Sequence, residues 1–187
     1  MKLKKTNAVM GILTILFLLL HMGYSIYTYL TFYYNPFLSK VFQVPVIAAA
    51  CLHAVFGMLT VFLQHDGGRP DLYPKQNRRT ILQRVSAALI FPLLILHMRN
   101  FSMMEASAKA GRSGVILLLI LAELIFFAAV ITHVATSLTN AFITLGVLAS
   151  RDTQQKIDRV IYVLGAVCFA FAVYAVVRGQ IFMFLAG

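Results

Sequence analysis

The chain has 187 residues, of which 60% are hydrophobic and only 12% charged, and its mean hydropathy is +0.84. That composition excludes a soluble globular domain and points to an integral membrane protein. The formal charge of +10 comes from basic residues scattered through short connecting segments with no aromatic-plus-basic face among them, which argues against nucleic acid as a partner.

Five segments reach the roughly 20 apolar residues that a membrane-spanning helix needs. In chain order they are Ala8 to Tyr33, Val44 to Leu63, Ile81 to Met98, Gly114 to Val134 and Val160 to Leu185. The opening Met1-Lys2-Leu3-Lys4-Lys5, followed by the apolar Gly11 to Leu20, imitates a secretory signal, but no A-x-A-like cleavage site follows it. The segment is therefore expected to stay as a first transmembrane helix. The connections are an aromatic segment around Tyr34 and Pro36, the loop from His65 to Arg79, the segment Glu105 to Arg112, and Arg151 to Arg159. No repeat or soluble domain interrupts the pattern, so residues 1–187 read as one all-α domain, a bundle of five transmembrane helices.

Five spans put the termini on opposite sides. The N-terminus, second loop and fourth loop carry eleven Lys and Arg residues, against five on the other side (Lys40, Arg99, Lys109, Arg112 and Arg178). The positive-inside rule then places the N-terminus in the cytoplasm and the C-terminus outside. The inner face is broad and basic. It suits a soluble partner or lipid phosphates, although orientation of the chain alone also accounts for much of the bias.

His21, His53, His97 and His133 fall one each in the first four spans, at intervals of 32, 44 and 36 residues. One isolated histidine in a span is ordinarily a hydrogen-bonded packing residue. Four in succession point elsewhere, because intramembrane polar groups are costly and imidazole is a preferred axial ligand of haem iron. Two bis-histidine haems would use all four. Cys51 and Cys168 form no C-x-x-C pair, so zinc, iron–sulfur and thioether attachment are unsupported and the haems would be b-type. His65, beside Asp66 at a loop edge, reads as solvated.

Depth separates the ligands into two levels. His97 lies near the outer end of the third span, and His21 lies about 20 Å in from the cytoplasmic edge, so these two can share an outer haem. His133 lies in the inner half of the fourth span; His53, mid-span and compatible with either level, goes to His133 and an inner haem by elimination. Gly23, Gly57 and Ala129 flank the histidines, and small residues admit a large ring.

Other polar residues complete the candidate site. Thr136, Ser137, Asn140 and Thr144 share a helical face below His133 and could bond inner-haem propionates, or make ordinary interhelical bonds. Gln83, Arg84 and Ser86 open the third span; Arg84 could pair with a propionate or a quinone carbonyl, or simply snorkel. Pro92 is expected to bend the third helix. Glu123, the only carboxylate well inside a span, is a candidate proton or quinone residue, or a paired structural acid.

With these residues in place, the chain resembles the single-chain, two-haem cytochrome b anchor of succinate:quinone oxidoreductases, the succinate dehydrogenase and fumarate reductase family. The resemblance covers essentially the whole chain and rests on the ordered histidines, with Leu52 to Gly57, Gln83 to Ser86 through His97, and His133 to Asn140 with Leu145-Gly146 as family-like segments. It implies that His21 and His97 hold a distal haem and His53 and His133 a proximal one. It also implies a multi-pass protein of the inner (cytoplasmic) cell membrane that docks an iron–sulfur subunit and, through it, a flavoprotein interconverting succinate and fumarate. The anchor itself would pass electrons to or from a membrane quinone, menaquinone or ubiquinone, and would not touch the dicarboxylate. One departure is Ile131, where some fumarate reductases of this type carry a glutamate two residues before the fourth-helix ligand. Rival expectations are the cytochrome b subunit of a membrane hydrogenase or formate dehydrogenase, and a haem-free small transporter or scaffold.

Overall fold

The structure is a computed structural model that describes residues 2–64 and 74–186. His65, Asp66 and Arg69 of the second connection lie outside the described residues. Five α-helices account for nearly all of the remainder: α1 (Lys2–Thr31), α2 (Pro36–Gln64), α3 (Pro74–Lys109), α4 (Ser113–Leu145) and α5 (Arg151–Phe184). All five are long and apolar enough to cross a membrane. The chain is a multi-pass membrane protein by this measure, and its outer surface agrees: Phe62 is 73% exposed, with Leu63, Ile95, Leu118 and Phe182 close behind. Apolar area on that scale is stable against lipid and not against water.

The helices are longer than their apolar runs. Glu105 to Lys109 continue α3, and Arg151 to Arg159 open α5, so the third and fourth connections shrink to residues 110–112 and 146–150. Local chemistry sets the ends. At the first turn, Asn35 caps α2 by accepting from the backbone N–H groups of Phe37 (3.0 Å) and Leu38 (3.2 Å), and Pro36 supplies a first residue with no N–H to satisfy. The Tyr24 hydroxyl holds the same residue from α1, donating to Asn35 O and accepting from Asn35 N, both at 3.0 Å. At the other end of α4, Gly146 adopts φ 80°, and Val147 N donates to Phe142 O, a glycine stop that β-branched residues resist.

Packing makes α4 the central helix. It lies against α1, α3 and α5, while α1 packs on α2, α4 and α5. Around the bundle the first four helices run in the order α2, α1, α4, α3, and α5 covers the seam between α1 and α4. Among the described residues no Cα of α1 comes within 8 Å of α3, and none of α2 within 8 Å of α3 or α4. Where α3 ends and α4 begins, Met104, Ile116, Leu119 and Ile120 form a fully packed cluster with Leu96, Val177 and Phe184 against it. Gly179 of α5 lies so close to the Tyr29 ring of α1 that a Cβ there would overlap it.

Candidate functional site

The four intramembrane histidines meet in two pairs. His21 of α1 faces His97 of α3, with ring centres 6.3 Å apart and planes at 87°. His53 of α2 faces His133 of α4, with centres 6.1 Å apart and planes at 63°. Each pair reaches across a diagonal of the bundle, between helices whose backbones do not touch. Glu123, which contacts His97, precedes His133 on α4 by ten residues, so the two levels are separated by roughly 15 Å along the helix axis.

These separations have a chemical meaning. An imidazole nitrogen bound to a transition metal lies about 2 Å from it. With the ring centre a further ~1.1 Å behind that nitrogen, two imidazoles on opposite sides of one metal have centres about 6.2 Å apart. Both pairs stand at this spacing. Among the described residues no group of three His, Cys, Asp or Glu side chains converges. The donors come in twos, the number of axial positions on a haem iron.

Hydrogen bonding fixes which ring nitrogen remains for a metal. His133 Nδ1 lies 3.0 Å from Gln83 O, and His53 Nδ1 3.2 Å from Asn7 O. A carbonyl only accepts, so both rings carry their proton on Nδ1 and keep the Nε2 lone pair. His97 Nδ1 lies 2.5 Å from Glu123 Oε1, which imposes the same tautomer. His21 Nδ1 is buried with no hydrogen-bond partner among the described residues. Such outer hydrogen bonds are the usual companions of metal-ligating histidines. The donor set therefore fits two haems held by paired imidazoles.

The remaining candidates are distributed more widely. Gln83 contributes its main-chain carbonyl. Ser86 is buried 3.5 Å from His133 Nδ1, with its hydroxyl donating to Leu82 O at 2.7 Å. Arg84 is exposed on the α3 surface. Thr136, Ser137, Asn140 and Thr144 all donate to carbonyls of their own helix, at 2.7, 3.4, 3.4 and 2.8 Å, as hydroxyl and amide groups do when no stronger acceptor is offered. Glu123 is 6% exposed and gives both oxygens to neighbours, His97 and Asn100. Of the expected small residues, Gly57 faces Asn7 and Gly23 has nothing within 4 Å of an added Cβ. The glycine against a histidine ring is Gly11 of α1, where a Cβ would stand 3.0 Å from His53 Cε1.

Several contributors escape a reading of the sequence. Arg79 donates through Nε to Thr136 O (2.8 Å) and through both terminal nitrogens to Asp158 (2.9 Å each), while Thr139 donates to Asp158 Oδ1 at 2.5 Å. One guanidinium thus ties α3, α4 and α5 together about one helical turn after His133 on α4. Its signal is a lone acid, one of six in the chain, at the start of an apolar span. Asn7 and Gly11 lie on α1, four residues apart on one helical face.

No protein-family model, curated protein or solved structure matches this chain.

Proposed function

We propose that the protein is a diheme cytochrome b that anchors a succinate dehydrogenase or fumarate reductase complex in the inner cell membrane and exchanges electrons with membrane quinone. The observation that carries the haem reading is the pairing of four histidines at metal-spanning distance across helices that stand apart. His21 and His97 would hold the outer haem, and His53 and His133 the inner one. Bound there, the haems supply one-electron carriers at two depths of the bilayer.

The chain's own part is ligation and orientation. Gln83 O and Asn7 O hold His133 and His53 by their Nδ1 edges and leave Nε2 of each uncommitted, and Gly11 lets α1 lie against the His53 ring. The Arg79 clamp holds α3 and α5 on α4 at the inner level. With the N-terminus cytoplasmic, the basic inner face receives an iron–sulfur subunit and its flavoprotein, the succinate–fumarate assignment following from the family resemblance. Ile131 offers no carboxylate beside the fourth-helix ligand, so proton transfer at that position forms no part of the proposal.

Extraction of the tagged chain from native membranes in mild detergent tests the assignment. Co-purification of a flavoprotein and an iron–sulfur subunit, with b haem reducible by succinate or oxidisable by fumarate, is the expected result. A b-type spectrum indifferent to both dicarboxylates would instead place the chain in another oxidoreductase, of the hydrogenase or formate dehydrogenase kind. A haem-free preparation would leave a transporter or scaffold.

A further inference from the structure

We infer that Glu123 and Asn100 are positioning residues for His97, and that they make the outer histidine pair chemically unlike the inner one. The inference rests on the two-haem reading above and goes beyond it by assigning the buried carboxylate a definite task.

A carboxylate inside an apolar span is costly unless its lone pairs are satisfied. Here Glu123 Oε1 accepts from His97 Nδ1 at 2.5 Å and Oε2 accepts from Asn100 Nδ2 at 2.7 Å. Asn100 is 3% exposed and lies three residues beyond His97 on the same face of α3, so α3 supplies both the ligand and the group that holds the ligand's partner. Phe126, three residues after Glu123 on α4, stacks on the His97 ring with centres 4.8 Å apart and planes at 25°. Edge and face of the imidazole are both held, which leaves Nε2 as its uncommitted nitrogen.

The inner pair has no equivalent. His53 and His133 donate to neutral main-chain carbonyls, whereas His97 donates to a carboxylate and His21 Nδ1 has no partner among the described residues. A carboxylate is the stronger acceptor. It draws the Nδ1 proton toward itself, raises the electron density at Nε2 and so favours the oxidised state of a metal bound there. With both oxygens engaged, Glu123 is a poor direct contact for quinone. Its influence on the outer centre passes through His97.

The test compares Glu123→Gln and Glu123→Ala in the full-length protein, each also in His133→Ala and His97→Ala backgrounds, with haem per chain, redox-titrated midpoints and ferric low-spin EPR as readouts. Glu123→Gln keeps a carbonyl acceptor and removes the carboxylate. It should retain both haems, raise the single midpoint left in the His133→Ala background, and leave the one in the His97→Ala background where it was. Glu123→Ala should weaken haem retention at the outer site by about 10–100-fold. Unchanged haem content, midpoints and EPR in both variants of a diheme wild type would overturn the role of Glu123 alone. A wild type without haem would overturn the two-haem reading and the inference together.

Discussion

At His133 two oxygens lie near Nδ1, Gln83 O at 3.0 Å and Ser86 Oγ at 3.5 Å, and the hydroxyl is already spent on Leu82 O. The carbonyl therefore decides the tautomer. A main-chain acceptor has no side-chain signature, which is why the sequence marks the four histidines, each an anomaly in an apolar run, but not what orients them. Asn7 is a similar case: its carbonyl, not its amide, meets His53. Glu123 is conspicuous as an intramembrane acid, yet its partner depends on how α3 and α4 are rotated against each other, and hydropathy does not encode that. On the two-haem proposal, replacing His53 or His133 with Ala would remove one of the two residues that hold one haem and leave the His21–His97 pair intact. Either variant should lose one haem per chain and keep the other, as measured by pyridine haemochrome; retention of both would break the pairing.

At the scale of the helices, hydropathy reports the part of each element that lipid covers and little about where the backbone stops coiling. Hence the five spans are legible, while α3 runs from Pro74 to Lys109, well past the apolar run that ends at Met98. Pro92 and Pro45 lie inside helices that continue through them. The ends become legible only where a residue has its own chemistry, as at Asn35-Pro36 and Gly146. The Arg79 clamp belongs to this scale because it joins three helices through one side chain. Its two side chains keep 21% and 23% of their surface exposed, so its loss falls below the range for a fully buried pair. Arg79→Ala should cost about 1–3 kcal/mol, by leaving Asp158 without its cation and taking one of its donors from Thr136 O. Arg79→Lys, which cannot bond both Asp158 oxygens and Thr136 O at once, should recover only part of that. Thermal unfolding in detergent measures both.

In the whole molecule, two helical hairpins, α1 with α2 and α3 with α4, meet along the α1–α4 seam under α5, and α2 and α3 stay apart. This arrangement sends both histidine pairs across the diagonals of the bundle at two depths, which neighbouring helices in close contact would not allow. The order of elements was open to the sequence; which helices stand apart was not, since it follows from packing among residues that are nearly all apolar. Haem content tests the central claim most directly. A dithionite-reduced minus oxidised spectrum of the purified protein, with pyridine haemochrome quantification, should give two b haems per chain. A preparation expressed with ample haem that is folded and carries none would contradict it.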